Sequence, residues 1–208
     1  MTTRFTDFYF SEIQRVLSAI DTEKIEDLVW MIFNVWKAGG TVFLLGNGGS
    51  AATSSHFACD LAKMTRVGDE VSNFKVLALT DNVPLITAWA NDTDYSRVFV
   101  EQLRPFATGA DLVIGITGSG NSENVLQALS YANKAGSQTA ALTGFSGGKV
   151  KNVAQHTIVV PYDNMQLIED VHSLITHAVS LQLRAMLMDY QATGSAARIS
   201  PRPLKSIY

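Results

Sequence analysis

The residues best suited to chemistry in this chain are a histidine and an aspartate, His56 and Asp60, four positions apart in a segment of helical character. That spacing sets both side chains on one helical face, about one turn apart. Such a pair can share a metal ion, act as an acid–base pair, or make an ordinary surface hydrogen bond. A second set lies near the C-terminus: Glu169, Asp170, His172 and His177. The two carboxylates stand early in a predicted helix, whose positive end favours them. His177 sits among Leu174, Ile175, Ala178 and Val179, and is expected to be buried or at an interface. Glu169 and His177 are eight residues apart, roughly 12 Å of helical rise. One ion would have to draw both along the helix, or one of them would come from a neighbouring subunit.

Two loops rich in glycine and hydroxyl groups each follow an apolar run. Gly46-Asn47-Gly48-Gly49-Ser50 comes after Thr41 to Leu45, and Thr117-Gly118-Ser119-Gly120-Asn121-Ser122 after Asp111 to Ile116. Loops of this kind at the carboxyl ends of parallel strands suit a phosphate. The first formally fits G-x-G-x-x-A, with Asp81 as the acidic partner that a dinucleotide site wants. Two long helices precede it, however, and the second loop has no part in such a site. The second loop is the better phosphate site. Thr117, Ser119 and Ser122 supply three hydroxyls where helix capping by Ser122 needs one, and Gly118 and Gly120 permit close backbone approach. No lysine completes a G-x-x-x-x-G-K-[ST] loop, so the pattern suits a sugar monophosphate rather than a nucleoside triphosphate.

The elements that position these groups alternate. Helices are expected over Phe8 to Ile20 and Glu23 to Lys37, the second capped by Asp21-Thr22 and stopped by Gly39-Gly40. Strands are expected over 41–45, 74–79, 111–116, 139–143 and 157–160. Between them fall helices at 50–65, 83–90, 94–103 and 122–135, and a long helix runs from about Met165 to Met188. The pattern predicts an α/β fold, a single doubly wound five-stranded parallel sheet of flavodoxin-like type, over residues 1–190. Residues 191–208 read as a mobile or partner-draped tail. Phe8, Phe10, Trp30, Phe33 and Trp36 make the first two helices more apolar than one covered face needs, which fits either core packing or helix contacts between subunits. The chain has 208 residues, 47% apolar and 17% charged, with a net charge of -3. No basic face points to direct nucleic-acid binding. The single cysteine, Cys59, excludes a disulfide framework. Neither a signal peptide nor a membrane span is evident, and a cytoplasmic location is expected.

These features together resemble the SIS (sugar isomerase) domain, and within it the phosphoheptose isomerases, over roughly Phe8 to Met188. The resemblance is carried by Gly46 to Ser50 with His56-Phe57-Ala58, by Ala90-Asn91-Asp92, and by Gly118 to Ser122. Leu142-Thr143-Gly144 with Gly147-Gly148-Lys149, and Ile168 to His172 with His177, complete it. It implies a homotetramer with active sites between subunits, converting sedoheptulose 7-phosphate to a heptose 7-phosphate on the way to nucleotide-activated heptoses. By position, Asn47, Gly48, Gly49, Ser50, Asn91 and Asp92 would line the sugar, and Thr117, Gly118, Ser119 and Ser122 would hold the phosphate. His56, Asp60, Glu169 and His177 fall where zinc-binding members place their ligands, and Asp60 and His177 where the catalytic acid–base pair stands. The chain departs from the pattern twice: Asp60 replaces a glutamate and Glu169 a glutamine. The first change shortens the base by a methylene, and the second adds a charge that favours a cation. Other branches resembling this family bind the replication initiator without catalysis or sense phosphosugars beside a regulatory domain. The hydroxyl loop, His56 and His177 favour the isomerases.

Overall fold

The computed structural model describes residues 4–68, 71, 73–195 and 207. Its centre is a sheet of five parallel strands: β1 (Thr41–Gly46), β2 (Lys75–Ala78), β3 (Leu112–Thr117), β4 (Gln138–Gly144) and β5 (His156–Val160). The spatial order is β2-β1-β3-β4-β5, with Val42 beside Leu112 and Leu112 beside Gln138. β3 is buried along its whole length, and β1 and β4 in all but their first residues. Strands covered on both faces must be apolar throughout, which is why these runs lack the alternation of a half-exposed strand. β2, at one edge, leaves Leu77 49% exposed.

Helices α1 (Phe5–Ser18), α2 (Thr22–Lys37), α3 (Gly49–Cys59) and α7 (Met165–Thr193) pack with one face of the sheet, where Val29, Ile32, Phe33, Phe57, Val171, Ile175 and Leu183 build the larger core. The other face is covered by α5 (Val100–Leu103) and α6 (Glu123–Lys134), through Phe99, Leu103, Val125 and Leu129. Asp21 caps α2 as expected, its carboxylate accepting from the amides of Glu23 and Lys24 at 3.1 and 3.4 Å. The first two helices divide between the two readings of their apolar faces. Phe33 is buried in the core with Trp30 and Trp36 packed against it, whereas Phe5, Phe8 and Phe10 are 77%, 53% and 60% exposed. α4 (Val83–Asp92) is apolar, yet it buries none of its residues.

The 50–65 helix departs from expectation at one point. It is α-helical only to Cys59 and continues as a π turn over Asp60–Met64, closed by the Thr65 amide on the Asp60 carbonyl at 3.1 Å. Such turns are rare and tend to occur at functional sites. α7 extends past Met188 to Thr193 and ends at Gly194, whose φ of 70° needs a glycine. Residues 196–206 and Tyr208 of the anticipated tail lie outside the described residues; Ile207 is buried. The 2-1-3-4-5 order puts its switch point between β1 and β3, so the two glycine-rich loops flank the crevice where ligands of such sheets bind.

His172, on α7, is wholly buried. Among the described residues neither ring nitrogen has a hydrogen-bond partner of good geometry. Burial therefore pushes its pKa down from 6.5 to about 4, against a weaker upward pull from the backbone of Thr143. The unfolded chain binds the proton more readily than the folded one, so this residue's contribution to stability is full above pH 6.5 and is lost as pH falls toward 4. The loss is on the order of 3 kcal/mol. In urea titrations at pH 7.5, 5.5 and 4, His172→Leu is expected to lose less stability on acidification than the parent chain by about that amount.

Candidate functional site

α7 lies alongside α3. The packing brings His177 over the turn that carries His56 and Asp60. His56 Nε2 is 3.8 Å from one Asp60 oxygen and His177 Nε2 is 3.8 Å from the other. The imidazole centroids are 4.9 Å apart with their planes at 75°. The carboxylate is 16% exposed, and the two imidazoles are 59% and 46% exposed. His177 is therefore neither a core residue nor silent packing: it faces solvent beside two other polar groups. The N···O gaps exceed hydrogen-bond length, and the three ligand atoms all lie within 4.8 Å of one another. Two imidazoles and a carboxylate are the donor set of many zinc sites that keep a position open, so these residues fit a divalent cation.

Glu169 does not join them. Its carboxylate packs on Gly49, and a Cβ placed there would lie 2.6 Å from Oε2. Gly49 is the first residue of α3, and His56 is about 10 Å of helical rise further on. The charge thus complements the positive end of α3 rather than that of its own helix. It also stands where a dinucleotide's pyrophosphate would need to sit. With Asp81 already accepting from Ser55 and facing Thr80 Oγ1 at 3.3 Å, the first loop is a poor anion site. Gly48 is needed for its φ of 54°. Ser50 is buried.

The second loop is better suited to an anion. Ser122 occupies the N-cap of α6, but its hydroxyl makes no capping bond. It lies 3.2 Å from Thr117 Oγ1 instead, and one of those two hydroxyl protons is left to donate. Ser119 Oγ accepts from the Asn121 amide at 3.2 Å, so its own proton is also free. The amides of Glu123 and Asn124 at the start of α6 have no acceptor within the helix, as at any helix start. The loop glycines serve protein packing rather than ligand approach. A Cβ on Gly118 would meet Met165 Sδ at 2.3 Å, and one on Gly120 would meet the Gly147 carbonyl at 2.2 Å.

Asn47 is fixed by two residues that sequence reasoning missed, Asn124 and Tyr95. The Val125 amide donates to Asn124 Oδ1 at 3.0 Å, which sets the orientation of that amide. Asn124 then accepts from Asn47 Nδ2 and donates to Asn47 Oδ1, both at 2.9 Å. Tyr95 donates its hydroxyl to the same Oδ1 at 3.0 Å. Asn47 is left with one N–H to offer outward. An asparagine three residues into a helix carries no distinguishing pattern, and only the fold brings it to the loop. Asn91 and Asp92 lie exposed at the end of α4, where Asn91 donates to Asp92 at 2.9 Å. Among the described residues no hydrogen bond ties them to the rest.

Comparison with known proteins decides the family. The SIS domain profile matches residues 8–144. The chain belongs to the SIS domain family. Among SIS relatives, a probable phosphoheptose isomerase of Thermoplasma volcanium is 37% identical over 171 residues, covering 82% of this chain and 86% of its own. The phosphoheptose isomerase of Akkermansia muciniphila is 38% identical over 155 residues, 74% of this chain and 81% of its own. The solved SIS structure of phosphoheptose isomerase GmhA from Neisseria gonorrhoeae superposes with a TM-score of 0.80 at 28% identity, covering 86% of this chain and 97% of that one.

Gly120 tests how tightly the hydroxyl loop of this SIS domain is built. Its φ is 68° and a methyl would press on backbone. Gly120→Ala is expected to cost at least about 2 kcal/mol, lowering the melting temperature by roughly 4–8 °C in calorimetry.

Proposed function

We propose that this chain is a phosphosugar isomerase that interconverts sedoheptulose 7-phosphate and a heptose 7-phosphate, working as a cytoplasmic homotetramer with a bound divalent metal such as zinc. The observation that carries the reading is the Asp60 carboxylate held between two solvent-facing imidazoles. The reaction moves one proton from C1 to C2 and another between O1 and O2 through an enediol, so it needs a base at carbon and a carrier at oxygen. Asp60 takes the C1 proton and returns it at C2. His177 carries the proton between the oxygens on the ring nitrogen that does not face Asp60. Thr117, Ser119 and Ser122 hold the phosphate, Gly118 shapes their loop, and Asn47 with Gly48 and Gly49 lines the sugar chain. His56, Asp60 and His177 would hold the metal, which supplies polarisation of the carbonyl and hydroxyl oxygens when bound. Glu169, beside Gly49, is placed against the substrate rather than in this ligand set.

The tetramer is supported by what one chain leaves bare. Phe5, Phe8 and Phe10 are exposed, as are Val83 and Leu85 of α4. Along α3, His56 is about 10 Å and Asp60 about 16 Å from the loop that opens the helix, which favours sites completed between copies. No helix among the described residues is long and apolar enough to cross a membrane.

Incubation with sedoheptulose 7-phosphate and a panel of ketose phosphates, with and without zinc, is expected to give the aldose product by NMR. Absence of turnover on all of them would overturn the proposal. Asp60→Asn and His177→Ala are each expected to lower kcat by on the order of 10²–10⁴-fold while the melting temperature stays near that of the parent chain. Native mass spectrometry is expected to find one zinc per chain, lost in His56→Ala.

A further inference from the structure

Asp60 follows Cys59, the last residue of α3, and opens the π turn, so its aim depends on how that turn is held. The turn forgoes the tighter α-helical bonding and leaves carbonyls at its end with no further helical turn to satisfy them. Within the segment, the Thr65 amide closes on the Asp60 carbonyl at 3.1 Å and Thr65 Oγ1 donates to the Leu61 carbonyl at 2.6 Å. Beyond it, one side chain from another element gathers the loose ends. Arg184, on α7 two turns past His177, donates Nη1 to the Met64 carbonyl at 2.8 Å and to the Arg66 carbonyl. Its Nε donates to the carbonyl of Ile207, next to the last residue of the chain. Ile207 is 7% exposed, so its side chain is anchored as well as its backbone. A planar guanidinium presents five donors in fixed directions from separate nitrogens and so reaches carbonyls set apart, whereas the three donors of a lysine radiate from one nitrogen. A cation at the end of a helical segment also complements its dipole.

We propose that Arg184 and the C-terminal Ile207 form a strap that fixes the π turn starting at Asp60, which makes Arg184 a positioning residue for the Asp60 carboxylate. α7 then sets both halves of the acid–base group. It carries His177 directly and aims Asp60 through Arg184, so the two move as one body. The catalytic consequence rests on the isomerase reading; the mechanical one does not.

The test uses the full chain, Arg184→Ala, Arg184→Lys, and a chain ended after Ser195, which keeps Arg184 and removes its contact to Ile207. Hydrogen–deuterium exchange over residues 60–66, read by mass spectrometry without ligand, is expected to accelerate at least roughly tenfold in Arg184→Ala and measurably in the other two, with β3 and α6 unchanged. With sedoheptulose 7-phosphate, kcat is expected to fall about tenfold at a KM within about twofold, since the phosphate loop is untouched. Millimolar guanidinium is expected to restore part of it in Arg184→Ala. Unchanged exchange over 60–66 in Arg184→Ala and in the shortened chain overturns the strap, as does acceleration spread equally over β3 and α6. Should Arg184→Ala not fold, the lysine variant and the shortened chain decide by the same readout. A parent chain without turnover sinks the isomerase reading alone, and exchange then decides the strap.

Discussion

Glu169 rests its carboxylate against the start of α3 where residue 49 has no side chain, and the site is laid out below that contact along two packed helices. The carboxylate lies where a Cβ of residue 49 would be, against the positive end of the helix. It marks the register of α7 on α3 at the upper end. Both helices then descend the same face of the sheet, so a residue eight positions along α7 comes level with residues seven and eleven positions along α3. His177 meets His56 and Asp60 for that reason. A larger residue at 49 would turn the flexible end of Glu169 aside and take its charge from the start of α3.

The same contact divides the labour between the two glycine-rich loops. By sequence both were candidates for phosphate. With a carboxylate over its helix start, the first repels anions and is left to present neutral donors, among them the single free N–H of Asn47. The second keeps two of its three hydroxyl protons available, one from the Thr117–Ser122 pair and that of Ser119, and Ser122 leaves the helix-start amides uncapped. A seven-carbon sugar with one charged end suits such a pair of loops, one neutral in its donors and the other anion-seeking. A dinucleotide, which needs its pyrophosphate at the first, does not.

The fold was legible because its signals are local and repeated. Buried strands such as Val113 to Ile116 announce themselves by continuous apolarity, and Asp21 and Gly39-Gly40 mark the ends of α2. The His56/Asp60 pair was legible for the same reason, being one turn apart on one helix. What the sequence could not convey were matters of register between elements. His177 read as buried or at an interface because its helical neighbours are apolar; in the single chain it is half exposed, and the histidine buried in that helix is His172, one and a half turns earlier. Glu169 looked like a fourth ligand because carboxylates attract cations, but helix rise places it at the other end of α3. Asn124, Tyr95 and Arg184 carry no motif at all: each matters through a partner from a distant part of the chain. The π turn was missed because its residues have ordinary helical propensities and its cause lies in Arg184, 120 residues beyond Met64.

An acid–base group works best where water is excluded, since bulk water weakens the fields that hold an enediolate and offers competing protons. His56 and His177 are too open in a single chain to meet that condition, their imidazoles being 59% and 46% exposed. The chain carries the means of covering them. Val83 and Leu85 of α4 stay exposed while Ile86, Trp89 and Ala90 pack on the core, and Phe5, Phe8 and Phe10 of α1 project outward; apolar surface of this kind suits a partner. Asp60, by contrast, is already largely enclosed, with both oxygens faced by imidazoles and its turn held from behind. A base prepared within the chain and a pocket closed only by a second copy would tie the protection of the enediol to assembly. An isolated chain would then hold the acid–base group without the dry site that its chemistry requires.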